Sequence, residues 1–302
     1  MKNYSLRIEY SPVYELISSF YAYINKKELK FFSLHNKWRE ETKSKLPNKY
    51  ADELENEQWE VLHRTVLLVS QCPDKETVEG FLKWFGQLPA GELYERLVPW
   101  VQSIPLNLGE IRDRSFYLLS EWNEYYFQHF DSLILSDLKR DAEHKKEKAN
   151  EIAPIDLIEQ VTNGIQIEPT EHLQHVVLVP QFHCRPTTIL DFHKGMATCL
   201  YPIKEVSTIQ NPNADLLQLT TALADEKRLR IVRFIAKKPR TLTEIHQHIG
   251  LAKSTVHHHL MTLRRAGIIR SHCVGSTTVA YYSLREVFID VLNEKVNRLL
   301  SI

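Results

Sequence analysis

The chain has no long apolar run. Its wholly apolar stretches, such as Val176–Val179, span a few residues, far short of the roughly 20 that a membrane helix needs. Cysteine is scarce, four in 302 residues with no close pair, so no disulfide scaffold is expected. Net charge is absent too: 38 Lys and Arg balance 38 Asp and Glu, which excludes a polycationic, histone-like packer. Behind Met1-Lys2-Asn3-Tyr4-Ser5 lies no apolar signal core, and the expectation is a cytoplasmic protein with no membrane partner. GxSxG, a phosphate-binding P-loop, HExxH and GxGxxG are all missing, so neither enzyme activity nor a cofactor is expected. A nucleophile pair at His183-Cys184 is conceivable, but neighbours on a strand point apart.

What is present is the composition of a globular protein, 43% hydrophobic and 25% charged, in a length that suits about two domains. The neutrality conceals an asymmetry. Residues 213–302 carry 14 Lys and Arg against seven Asp and Glu, while residues 1–212 carry 24 against 31. Aromatics divide the other way: 26 of 30 lie in 1–212, all five Trp among them. An acidic, aromatic part thus precedes a basic part, and a basic domain suggests a polyanionic partner.

Tyr4–Tyr10 alternates and reads as a short strand. From Val13 to Gln160 apolar residues recur at three- and four-residue spacing. The expected helices are Val13–Ile24, Lys27–Lys43, Tyr50–Ser70, Lys75–Trp84, Leu93–Gln102, Ile111–Lys146 and Ile155–Val161. The charge run Lys139–Lys148 reads as a solvated helix face. After Gly164 the period changes: Ile165–Ile167, His175–Val179, Thr188–Phe192 and Ala197–Tyr201 read as strands bounded by Pro169, Pro180, Pro186 and Pro202. The expectation is a mainly α, α+β chain. A helical domain with a small antiparallel sheet fills residues 1–206, and a winged helix-turn-helix fills 207–302, with a linker at Ser207–Asn213.

The C-terminal stretch is the most legible. Asp215–Leu223 reads as a helix. Asp225 suits the N-cap of Glu226–Ala236, whose apolar stripe is Leu229, Val232 and Ile235. Thr241-Leu242-Thr243-Glu244 is a capping box opening Leu242–Ile249. The turn Gly250-Leu251-Ala252 leads into a second helix that buries Val256, Leu260 and Leu263 and stops at Gly267. Ile268–Val274 and Thr277–Tyr282 flank Gly275-Ser276 as a hairpin, and Leu284–Leu300 is an amphipathic closing helix. In a helix-turn-helix the second helix enters the major groove. Lys253, Ser254, Thr255, His257 and His258 stand where base edges and phosphates of double-stranded DNA would be read. Arg264 and Arg265, which either position or pack, and Arg270 complete the candidate set.

Leu223-Ala224-Asp225-Glu226-Lys227-Arg228-Leu229-Arg230-Ile231, Ser254-Thr255-Val256-His257-His258-His259-Leu260, Leu263-Arg264-Arg265-Ala266-Gly267-Ile268 and Tyr281-Tyr282-Ser283-Leu284, in that order and spacing, resemble the ArsR-type winged-helix regulators. The resemblance covers about 75 residues. It implies a homodimeric, promoter-binding transcription regulator that dimerises through Asp215–Leu223 and Leu284–Leu300. Two departures stand out: Ala252 replaces a capping Ser, and Cys273–Ala280 has no Lys or Arg, so contacts from the wing to phosphate should be weak. Val176–Pro180, Thr188–Asp191 and Tyr201-Pro202 resemble the long N-terminal extension of a subset of these regulators.

Metal-sensing relatives place a Cys pair where this chain has Glu244-Ile245-His246-Gln247-His248, and others use His and Asp on the last helix, which here has Asp290 but no His. His183, Cys184, Asp191, His193 and Cys199 are the remaining metal candidates, read as ordinary sheet and loop residues. The expected function is a dimeric repressor acting by promoter occlusion, tuned by an effector at the N-terminal domain. The alternative is a constitutive architectural protein whose N-terminal domain only oligomerises.

Overall fold

The computed structural model describes residues 4–29, 32–57, 62–204 and 213–300. The chain opens with strand β1 (Ser5–Ile8) and helices α1 (Pro12–Ile24), α2 (Lys26–Leu29), α3 (His35–Lys43) and α4 (Asn48–Glu55). Helices α5 (Leu62–Val69), α6 (Val78–Gln87), α7 (Ala90–Leu97), α8 (Leu108–Tyr125) and α9 (Ser132–Lys148) follow. Next come α10 (Pro154–Val161), β2 (Ile165–Glu168), β3 (His175–Gln181), β4 (Ile189–His193) and β5 (Met196–Pro202). The C-terminal stretch holds α11 (Ala214–Leu223), α12 (Glu226–Ile235), α13 (Leu242–Ile249), α14 (Lys253–Arg265), β6 (Ile269–Val274), β7 (Val279–Leu284) and α15 (Phe288–Leu300). The fold is α+β, as the periodicities imply.

Two compact units result, and they are not consecutive in sequence. One joins Ser5–Lys148 to His172–Thr208; the other joins Met1–Tyr4, Ala149–Glu171 and Ile209–Ile302. From sequence alone the chain divides once, at 206/207, whereas here Ala149–Glu171 goes with the C-terminal unit. The linker residues 207–212 lie outside the described residues.

In the N-terminal unit the sheet order is β1-β3-β5-β4. The expected antiparallel sheet is corrected to a mixed one: β1 and β5 both run parallel to β3, and only β4 is antiparallel, to β5. The reason is burial. Strands β3 and β5 are covered almost throughout, and a near-continuous apolar run marks a strand buried on both faces. Helix α1 is the hub. Ser11 caps it, Pro12 opens it, and eleven of its residues, Val13 to Ile24 apart from Tyr21, are buried. A helix buried on all sides, Glu15, Ser18 and Ser19 included, lies in the middle of a core. Trp122 on α8 lies edge-on to Phe20, 5.7 Å between centroids, and tilted against Tyr23 at 5.0 Å. The expected helix Ile111–Lys146 breaks at Tyr126–Asp131, where a 3-10 turn buries Phe127 and Asp131 Oδ1 accepts from Leu133 N (2.8 Å) to restart α9. Lys27–Lys43 and Tyr50–Ser70 likewise divide, into α2 with α3 and α4 with α5; Trp59 lies outside the described residues.

In the C-terminal unit β6 is the central strand of a sheet ordered β2-β6-β7. Ile165–Ile167, expected in the N-terminal sheet, instead pairs parallel with Ser271–Cys273. The core gathers Ile231, Ile235, Ile245, Ile249, Val256, Leu260, Leu263, Ile268, Tyr282 and Phe288. Leu229, expected on the inner stripe of α12, is 49% exposed. Ile231 and Ile235 take the inner positions, four apart on one face.

Candidate nucleic-acid interface

Local chemistry explains each end of the helix-turn-helix. Asp225 caps α12 by accepting from Arg228 N at 2.9 Å, and that bond holds the carboxyl below its ordinary range. Arg228 closes α11 in return, donating from Nε to Ala222 O (2.6 Å) and from Nη2 to Thr221 O (2.9 Å). The Thr241–Glu244 capping box opens α13: Thr241 N donates to Glu244 Oε2 (2.8 Å) and Glu244 N to Thr241 Oγ1 (3.2 Å). Gly250 ends α13 in the left-handed region, φ +77°, where a side chain would be strained. After Leu251 and Ala252 the chain enters α14, whose N-cap makes no side-chain bond.

Helix α14 is two-faced. Val256, Leu260 and Leu263, at i, i+4 and i+7, are buried, while Lys253, Ser254, Thr255, His257 and His258 are all exposed. Those five lie within the first two turns, on one accessible surface. Arg230, Arg233, Lys237 and Lys238, on and just after α12, are exposed as well. His259 turns inward, and burial keeps its imidazole below the usual range against the pull of Asp225. Arg240 lies over Phe234 at 4.2 Å, and Phe234 stacks on His248 at 3.8 Å, a short ladder joining α12, α13 and the start of the sheet. Arg240 also exchanges backbone bonds with Tyr282 on β7.

The other three candidates stand elsewhere. Arg264 is 3% exposed and donates from Nη1 to Thr162 O at 3.3 Å. Arg265 is half-buried, and its carbonyl accepts from Asn163 Nδ2 (2.9 Å) and Gln218 Nε2 (3.2 Å). Arg270 Nε pairs with Glu159 Oε1 at 3.3 Å. The side chains of Arg264 and Arg270 thus meet α10 and the turn after it, and Arg265 meets that turn through its carbonyl. Packing is one of the two roles expected of Arg264 and Arg265; the partner elements are what the sequence reading missed. Asn163-Gly164 after a helical stripe signals a helix stop, but periodicity does not say which sheet the next strand joins. The wing tip, residues 275–278, is exposed.

Of the metal candidates, His183 and Cys184 are buried: His183 Nδ1 pairs with Glu15, its Nε2 meets Tyr126 Oη at 2.7 Å, and Cys184 Sγ meets Ser18 O at 3.6 Å. Asp191 and His193 sit on β4, and Cys199 is buried on β5. Among the described residues no group of three or more His, Cys, Asp or Glu is arranged to hold a metal ion. No described helix is long and apolar enough to cross a membrane.

Residues 225–271 match the family model described as bacterial regulatory protein, arsR family. This segment is an ArsR-type helix-turn-helix, the DNA-binding part of a transcription regulator. The curated proteins contain no match to the chain. Among solved structures, HlyU from Vibrio cholerae N16961 aligns over 31% of this chain and 100% of its own, at 23% identity and a TM-score of 0.24.

Proposed function

We propose that the chain is a dimeric, sequence-specific DNA-binding repressor, with its N-terminal unit responding to a small-molecule effector. The observation that carries the reading is the exposed N-terminal face of α14, where Lys253, Ser254, Thr255, His257 and His258 project from a helix-turn-helix whose other face is fixed in the core. Ser and Thr hydroxyls, imidazoles and an ammonium are the groups that meet base edges and phosphates. Arg230, Arg233, Lys237 and Lys238 supply non-specific phosphate attraction. Since the wing tip has no Lys or Arg, salt dependence falls mainly to the helices.

Dimerisation through α11 and α15 is supported by their exposed apolar residues, Leu217 on the first and Ile289, Leu299 and Leu300 on the second. A two-fold dimer would bury such a stripe against its own copy and set two recognition helices for a palindrome. Repression follows if the occupied site overlaps a promoter. For the effector, the N-terminal unit has an open cavity of about 620 Å3 whose lining mixes the aromatic Tyr125, Tyr126 and Phe130 with the charged Lys45, Glu124 and Asp131, within the size range of small-molecule pockets.

Selection of bound sequences from random duplex DNA by the full chain tests the reading. Enrichment of a palindrome supports a dimeric reader. Binding set by salt alone, with no sequence enriched, overturns it in favour of an architectural protein.

A further inference from the structure

We propose that Glu159 and Asn163, from the middle of the chain, are positioning residues for DNA reading: they set the C-terminal end of α14 and tie it to the sheet. This rests on the DNA-binding reading above and adds to it the part played by α10 and β2.

Asn163 has φ +56°, and among the described residues it is the one non-glycine in the left-handed region. It follows α10 in a Schellman turn, with Gly164 N bonded to Glu159 O (2.9 Å) and Asn163 N to Gln160 O (3.4 Å). Glycine is the relaxed choice at that position. The asparagine amide, however, bridges two other elements. Nδ2 donates to Arg265 O at 2.9 Å, the last carbonyl of α14, and Oδ1 accepts from Arg285 Nη1 at 2.7 Å, just beyond β7. Arg285 is buried and is completed by Glu159, which accepts from its Nε (2.6 Å) and Nη2 (3.3 Å) and also from Arg270 Nε on β6 (3.3 Å). Arg264 Nη1 reaches Thr162 O, and Ser271 N bonds Gly164 O at 2.7 Å. One turn of chain therefore grips the end of α14, the central strand of the sheet and the residue after β7. The grip lies three turns from Lys253, so a small tilt at that end is multiplied at the exposed N-terminal face. The chain enters α10 from the N-terminal unit and returns to it after β2.

The test uses the full chain, the duplex enriched from the random pool and a scrambled duplex of equal length. Asn163→Gly removes the bridge and relieves the strain. The melting temperature should hold or rise, while the ratio of cognate to scrambled affinity falls about three- to tenfold, the scale of one or two hydrogen bonds. Glu159→Gln, which keeps the shape and loses the charge, should move the ratio the same way. If both variants stay folded and keep the wild-type ratio, the inference is overturned. An equal loss on both duplexes, or a loss of melting temperature and ratio together in Asn163→Gly, overturns it too by marking a merely structural residue. If the wild-type chain itself shows no preference, the DNA-reading proposal fails first, and this inference with it.

Discussion

Changing Glu159 to Ala removes the acceptor shared by two guanidinium groups. Glu159 is 8% exposed and Arg285 7%, so their pair is out of water; the Arg270 side chain is 28% exposed and can be hydrated in its place. Breaking a buried pair by deleting one partner costs about 3–5 kcal/mol, and a half-exposed pair adds about 0–1 kcal/mol. Asn163 Oδ1 stays in place as an acceptor for Arg285, so the lower end applies: about 3 kcal/mol, or roughly 10 °C for a unit of this size. Urea melts followed by circular dichroism, with hydrogen exchange to locate the change in the C-terminal unit, measure it. Glu159→Leu combined with Arg285→Met should recover most of the loss, because the buried charge is then gone altogether. A single Glu159→Ala variant within about 0.5 kcal/mol of wild type would refute the view that α10 is built into the winged helix.

Leu299→Asp puts a carboxylate on the exposed stripe of α15 and should give monomers in sedimentation with the fold unchanged; a stable dimer would move the interface elsewhere. Leu299 is a cleaner probe than Val291, which packs against the domain's own core. Burial lowers the imidazole pKa of His272, opposed by the hydrogen bond and charge of Glu168, and Arg270 adds to the lowering while Glu159 opposes it. A depressed native value means that the unfolded chain binds the proton more readily, so this stability is whole above about pH 6.5 and is lost as pH falls below it. Melting temperature should drop between pH 7 and 5, less steeply in His272→Phe; equal slopes would refute the assignment. Chelation should leave DNA affinity unchanged, and a stoichiometric zinc signal that disappears with His193→Ala and Cys199→Ala would contradict that.

Legibility differed from place to place for physical reasons. The capping box at Thr241–Glu244, Asp225 at its cap, Gly250 at its turn and the spacing of Val256, Leu260 and Leu263 are local signals, and the structure has all of them where local rules put them. Exposure along α14 followed directly, because one buried stripe leaves a defined outer face. Strand partnership did not follow. Ile165–Glu168 alternates as a strand should, yet nothing in the alternation chooses β6 over β3, since pairing is decided by long-range burial. The same gap hid the partners of the arginines: Arg264, expected to position or pack, and Arg270 meet Thr162 and Glu159, more than a hundred residues earlier in the chain. The break between α8 and α9 was invisible because the helical period continues through Tyr126–Asp131 while the backbone does not.

The most direct test of DNA reading by α14 is affinity for the selected duplex and for a scrambled one, against salt, in wild type, Ser254→Ala and His257→Ala. The account predicts that each substitution lowers cognate affinity by about tenfold to a hundredfold while leaving scrambled binding and its salt slope near wild type. Wild-type discrimination in both variants would mean that this helix does not read the sequence.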